Sequence, residues 1–345
     1  MKFRTGRLTA LAAVALSATL GLAACGSSDD SSSGSSGSGG SSDATVTFIP
    51  KNLGNPYFDA SDGGGKKAVA AFGGTYDEVG PDTATPDGQV QYINTATQQG
   101  VSAIVISADD PSAPCDALKQ AMSAGIKVVT FDSDTSADCR DLFVNQASAE
   151  GIAKTQVDLI AKQIGGSGEV AILSAAANAT NQNAWIKQMK SYAAEKYPNL
   201  DIVDTVYGND DDQTSFDKTA ALLSDHPNLK GIISPTTVGI AAAARYLSTS
   251  SAKGKVALTG LGTPNQMRKY VKNGTVTSFA LWNPEDLGYL AAYTADALVS
   301  GEIKGDQGDT FTAGDLGKYT VGADGEVLLG DPYVFTKSNI DKFNF

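Results

Sequence analysis

Five short polar stretches follow apolar, β-branched runs, and their side chains share one kind of chemistry. In "FIPKNLGNPYFD" the apolar run ends at Ile49, and Lys51, Asn55, Tyr57 and Phe58 come next. In "VVTFDSD" the acids Asp132 and Asp134 follow Phe131. "NATNQNAW" supplies Asn181, Gln182 and Trp185, "SPTTVG" supplies Pro235, Thr236 and Thr237, and "LWNP" supplies Trp282 and Asn283. Amides, hydroxyls and carboxylates match vicinal hydroxyl groups as donors and acceptors, while flat aromatic faces cover the C–H side of a ring. Lys51 would balance Asp132 while both grip hydroxyls. An anionic ligand would favour a bidentate arginine. Beyond the N-terminal leader the chain has only Arg140, Arg245 and Arg268, and none falls on these stretches. The pattern points to a neutral polyhydroxy ligand.

Competing chemistries are poorly supported. "ASDGGGKK" suggests a phosphate loop, but Lys67 stands where Ser or Thr is required and Ala60 where the first glycine should be. These glycines read instead as permitting close helix-to-strand packing. "NDDDQTSFD" lacks the glycine and glutamate of a calcium loop, so Asp212 is expected to cap a helix. No G-x-S-x-G elbow occurs, and the single histidine, His226, lies in "SDHPN", which reads as a surface helix end. No metal, no cofactor and no catalytic residue is expected. Carboxylate pairs leave acid–base chemistry open as a rival reading.

The elements that must position these residues alternate. Val- and Ile-rich runs such as "TVTFI", "AIVIS", "KVVTF", "EVAILS", "GIIS", "KVALTG" and "TSFALW" are separated by helical patterns. Gly100 and Gly125 fall just past two of those helices, and Thr263-Pro264 and Asn283-Pro284 read as caps followed by a first-turn proline. Strands alternating with helices imply parallel sheets with both faces covered. Two blocks of about five strands fit an α/β fold of two doubly wound lobes rather than one closed barrel. In such sheets the ligand lies beyond the carboxyl ends of the strands, where the five polar stretches fall.

The chain opens with Lys2, Arg4 and Arg7, then an uncharged, mostly apolar run from Leu8 to Ala24. That order is a secretory leader, and "LAAC" resembles a bacterial lipobox, which implies cleavage before Cys25 and its acylation. "GSSDDSSSGSSGSGGSSD" has no apolar residue and reads as a flexible tether. The precursor carries a formal charge of −12; without the three leader cations, 23 basic face 38 acidic residues, near −15. An acidic chain without a basic stripe argues against nucleic acid. Cys115 and Cys139 remain as an even pair outside the cell, which reads as a disulfide, with two buried thiols as the alternative. A bridge over a loop of about 25 residues would contribute roughly 3.5 kcal/mol.

The motifs "FIPKNLGNPYFD", "GQVQYINTATQQ", "AIVISADDP", "KVVTFDSD", "NATNQNAW", "GTVTSFALW" and "VFTKSNIDKFNF" resemble those of a known family. It is the ribose-binding-like periplasmic type I family of ABC-transporter substrate-binding proteins, and within it the rhamnose-binding and autoinducer-2-binding members. The resemblance covers residues 44–345 and extends to the cysteine pair. It implies ligand contacts from Lys51, Asp132, Asn181, Gln182, Pro235 and Thr237, to which the residues themselves add Phe58 and Trp282. In the autoinducer-2 binders an aspartate stands where this chain has Asn181, and an alanine where it has Thr237; both departures favour a sugar such as rhamnose.

The expectation is therefore a lipid-anchored, extracytoplasmic, monomeric sugar-binding protein, not an enzyme, serving the permease and ATPase subunits of an ABC importer, with autoinducer-2 uptake as the alternative. Its parts would be a leader (1–24), Cys25 with a linker (25–43), one lobe of 44–145 plus 283–308, and a second of 146–282 plus 309–345. The three crossovers near 145, 283 and 309 would form the hinge. A LacI-type regulator shares such a fold but needs a helix-turn-helix head where this chain has its leader and tether.

Overall fold

A computed structural model describes residues 43–345; the expected leader and Cys25 lie outside the described residues. The chain begins with β1 (Thr45–Ile49), α1 (Pro56–Phe72), β2 (Thr75–Glu78), α2 (Val90–Gln99), β3 (Ala103–Ile106), α3 (Cys115–Ser123), β4 (Lys127–Phe131) and β5 (Leu142–Asn145). It continues through α4 (Ala149–Ile164), β6 (Gly168–Ser174), α5 (Thr180–Lys196), β7 (Leu200–Tyr207), α6 (Asp212–Asp225), β8 (Leu229–Ser234), α7 (Thr237–Thr249), β9 (Ala257–Gly260), α8 (Pro264–Lys272) and β10 (Ser278–Leu281). Then come α9 (Pro284–Ser300) and the short strands β11 (Thr310–Thr312), β12 (Lys318–Thr320), β13 (Glu326–Leu328) and β14 (Tyr333–Thr336).

Two sheets result. The first runs β13-β5-β4-β3-β1-β2, parallel throughout. The second runs β7-β6-β8-β9; a parallel bridge from Leu261 to Ala280 carries it on to β10, and β14 adds an antiparallel edge. Alternation along β3 explains why the first sheet is covered on both sides. Ala103 and Val105 pack toward α1 and α9, while Ile104 and Ile106 pack toward α2 and α3. Full burial of each Val or Ile side chain of this kind stabilises the fold by about 1.5–3 kcal/mol.

The helix ends follow their local chemistry. Asn55 caps α1 by accepting from Tyr57 N (3.1 Å), with Pro56 in the first turn. Gly100 and Gly125 adopt left-handed φ of 67° and 89° just beyond α2 and α3. The cap of α6 is Asp211, which accepts from Thr214 N (2.7 Å), not the expected Asp212. Asp212 lies inside the first turn, and only the preceding residue has the extended backbone that turns a side chain back onto the helix.

The chain passes between the sheets at 146–148 and at 282–283. The third passage, expected near 309, lies at 329–332, because β13 joins β5 in the first sheet and β14 joins β10 in the second. Val327 is fully buried there, and Asn145 Nδ2 donates to Glu326 Oε1 (2.6 Å). Residues up to Leu328 thus belong with the first sheet, and the segment 309–328 was expected in the wrong lobe. Cys115 and Cys139 are disulfide-bonded, with Cα atoms 5.2 Å apart, tying α3 to the turn that follows β4.

The glycines of "SDGGGKK" lie inside α1 and do not form a loop. A Cβ on Gly65 would strike the Phe48 ring of β1, the helix-to-strand contact that was expected. One on Gly64 would strike the Glu285 backbone of α9, and one on Gly288 the Ser61 carbonyl of α1. The two helices therefore cross in backbone contact. Gly64→Ala and Gly288→Ala are each expected to destabilise by about 1–3 kcal/mol in chemical denaturation. Gly63→Ala, with nothing within 4 Å of its added Cβ, is expected to stabilise by about 0.5–1 kcal/mol.

Candidate functional site

The eight residues singled out in the sequence meet around one cavity between the two sheets. Lys51 leaves β1 and Asp132 leaves β4, both from the first sheet; Asn181 and Gln182 open α5, Pro235 and Thr237 follow β8, and Trp282 follows β10.

Asp132 anchors the polar side. It sits at a left-handed φ of 60°, a backbone state that costs energy for a non-glycine residue and persists where its surroundings enforce it. Tyr57 Oη donates to its Oδ1 (3.0 Å) and Ser107 Oγ to its Oδ2 (2.8 Å). Trp282 Nε1 in turn donates to Tyr57 Oη (2.9 Å). A chain of donors thus runs from the end of β10 to the end of β4 and aims a carboxylate with spare lone pairs into the cavity. Burial pushes the Asp132 carboxyl up, and the Lys51 ammonium and the two hydroxyls pull it back.

The other walls are equally fixed. Gln182 Oε1 accepts from Ser174 Oγ (2.6 Å) and Ala175 N (2.8 Å), which leaves its amide N–H groups as donors. Asn181 Nδ2 donates to the Asp132 carbonyl (3.3 Å), so one of its N–H groups is satisfied by the opposite lobe. The apolar wall is Phe58, Tyr57, Trp282 and Trp185. Trp185 and Trp282 meet edge to face with ring centroids 6.0 Å apart, and Tyr57 and Phe58 with centroids 5.1 Å apart.

Lys51 is 5% exposed and lines the cavity, yet among the described residues it makes no direct ion pair or side-chain hydrogen bond. Its ammonium donors are therefore available to a ligand. A buried cation in a cavity needs acceptors, and ligand hydroxyls bridging to the nearby carboxylates would supply them.

Two of those carboxylates were not singled out in the sequence. Asp210, just beyond β7, lines the cavity and accepts from Thr236 Oγ1. Burial raises its carboxyl, while Thr236 and Lys51 lower it. It was hidden in the acid run "NDDDQ"; its place directly after a strand was the available signal. Asp109, beyond β3, does not line the cavity, and its Oδ2 is buried and without a partner among the described residues. Burial lifts it to about 7, against the pull of Lys51 and with a further push from Asp210.

Not every polar residue on a post-strand loop faces the cavity. Asp134 is held by Arg140, through Nε to Oδ1 (2.7 Å) and Nη2 to Oδ2 (2.8 Å), and braces the loop. Asn283 caps α9 by accepting from Glu285 N (3.1 Å). Among the described residues, no arginine lines the cavity. Among the described residues the one group with metal-ligand spacing is Cys115, Asp138 and Cys139, and its two sulfurs are bonded to each other.

The model of the periplasmic binding protein domain matches residues 46–303. The chain belongs to the periplasmic binding protein family. Three solved structures similar to this binding protein bear on its site. A sugar ABC transporter protein of Actinomyces odontolyticus is 55% identical over 88% of this chain and 98% of its own, with a TM-score of 0.72. A solute-binding protein of Clostridium phytofermentas with bound L-rhamnose is 43% identical, with the same coverage and a TM-score of 0.85. The protein LsrB of Clostridium saccharobutylicum, in complex with AI-2, is 29% identical over 88% of this chain and all of its own, with a TM-score of 0.83. Among the described residues of this binding protein, no helix is long and apolar enough to cross a membrane.

Lys51→Ala is expected to leave the fold intact and to weaken ligand binding by about 2–4 kcal/mol in calorimetry, since it removes a charged donor and leaves Asp132 and Asp210 without their counter-charge. Asp109 yields a pH prediction. Its folded value of about 7 exceeds its ordinary 3.8, so the folded state holds a proton that the unfolded chain releases between those values. This group therefore contributes a loss of stability as pH rises from about 4 to about 7. Thermal melts of Asp109→Asn across that range should fall less steeply with pH than those of the wild type.

Proposed function

We propose that this chain is the substrate-binding protein of a sugar ABC importer and that its cavity takes a neutral deoxyhexose of the rhamnose kind. The observation that carries the reading is the uncommitted Lys51 ammonium facing carboxylates across an aromatic-walled cavity that no arginine among the described residues lines. Hydroxyl groups accept from the lysine and donate to Asp132 and Asp210 at the same time, which neither a phosphate nor a carboxylate does. A deoxyhexose has about eleven heavy atoms, so micromolar binding (~8 kcal/mol) needs about 0.7 kcal/mol per atom, within reach of a closed polar cleft. The likeness to a protein with bound L-rhamnose, at 43% identity, supports the same choice. Ligand contacts from both lobes would favour the closed form, and closure would present a joint surface to the permease. Acylation of Cys25 would hold the protein, as a monomer, on the outer face of the membrane.

A second reading, uptake of autoinducer-2, is favoured by the likeness to LsrB in complex with AI-2. Asn181 separates the two. Its Nδ2 faces the Asp132 carbonyl, so an aspartate there would set oxygen against oxygen across the cleft and lose a donor. Thermal-shift screening over L-rhamnose, other aldoses, polyols and autoinducer-2 should show L-rhamnose stabilising the wild type most. Asn181→Asp should bind L-rhamnose roughly tenfold to a hundredfold more weakly in titration, the effect of about 1–3 kcal/mol. Tight binding of autoinducer-2 by the wild type, with no aldose or deoxyhexose bound, would transfer the assignment to the second reading.

A further inference from the structure

Asn178 lies between β6 and α5, three residues before Asn181, and does not line the cavity. Its Nδ2 nevertheless reaches the opposite lobe, donating to Asp110 Oδ2 (3.1 Å) and to the Asp109 carbonyl (3.4 Å). Both partners are braced by hydrogen bonds within their own lobes. Asp110 Oδ1 accepts from Ser112 N (2.8 Å), Ser112 Oγ (2.8 Å) and Ala113 N (2.9 Å). On the other side Asn183 Nδ2 donates to the Ala177 carbonyl (2.8 Å) and holds the turn that carries Asn178.

The Asp110 loop is also coupled to the loop bearing Asp132. Ala108 N donates to the Ser133 carbonyl (2.9 Å), Thr135 Oγ1 donates to the Pro111 carbonyl (2.7 Å), and the Cys115–Cys139 disulfide closes the same corner. The first lobe thus presents one braced surface, and the second meets it with two amides, Asn178 at Asp110 and Asn181 at Asp132.

We propose that Asn178 and Asp110 are positioning residues, a hydrogen-bonded pair across the cleft that registers the two halves of the site and stabilises closure without touching the ligand. The pair does not titrate near neutrality. Burial opposes ionisation of Asp110, but the Ser112 and Ala113 N–H groups and the Asn178 amide hold its carboxyl at about 2. The bond forms only when the lobes meet, so its loss acts on the closed state and falls mainly on ligand release.

The proposal takes its probe, L-rhamnose, from the function proposed above, and one arm of the test needs no ligand. Three proteins are compared with the wild type: Asn178→Ala, Asn178→Asp, and the swap Asn178→Asp with Asp110→Asn. In the swap, residue 110 keeps an oxygen for Ser112 and Ala113 and offers an N–H to the new carboxylate. In stopped-flow binding, Asn178→Ala is expected to raise the dissociation rate about three- to tenfold with association changed less than twofold. Asn178→Asp, which sets two carboxylates together, should raise it further, and the swap should recover most of the loss. Solution scattering of the ligand-free proteins should give Asn178→Asp a larger radius of gyration than the wild type and the swap. Identical radii for all four proteins would overturn the pairing whatever the ligand is. Additive binding losses in the swap would overturn it as well. If L-rhamnose does not bind the wild type, the proposed ligand fails while the scattering still decides the pair.

Discussion

The buried ammonium of Lys51 is the constraint on which the site depends. A charge taken out of water must find acceptors or lose its charge, and the protein surrounds this one with Asp132, Asp210 and Asp109. Each carboxyl is raised by burial and pulled down by the lysine, so none is fully at ease without it. The lysine attracts these carboxyl groups but is not itself saturated with hydrogen bonds. That is the state in which a neutral molecule rich in hydroxyls adds most, because it supplies bonds without adding charge.

Holding the acids in place falls to parts distant from the lysine. The chain from Trp282 through Tyr57 to Asp132 crosses from the end of the second sheet to the first, so the carboxylate is oriented partly by the other lobe. The α1–α9 crossing fixes the floor beneath it: α1 brings Tyr57 and Phe58 to the cavity, and α9 starts two residues after Trp282. Glycines at 64 and 288 allow that crossing to close to backbone contact, which removes slack between the aromatic wall and the passage joining the lobes. Packing here sets the geometry of the chemistry.

Much of the site was legible because parallel strands in this fold place their carboxyl ends at one edge. Lys51, Asp132, Gln182, Thr237 and Trp282 could be grouped simply by following each apolar run to its end. The same rule would have reached Asp210, but three consecutive acids before a helix read equally well as capping, and capping is local chemistry that needs no partner from elsewhere. Asp134 was the opposite case. It follows a strand, yet its neighbour in space is Arg140, and the pair braces the loop.

Sequence alone determined the alternation of strand and helix, the parallel sheets, most helix ends and which residues end at the cleft. These depend on periodicity, caps and residue type within a few positions of one another. Tertiary structure decided the rest. β13 is three residues long and carries no periodic pattern, so only its pairing with β5 put residues 326–328 in the first lobe and moved the third passage to 329–332. Burial, which sums over every neighbour, decided that Asp109 holds its proton up to about 7. Asn178 and Asp110 are 68 residues apart, and only the approach of the two lobes makes them partners.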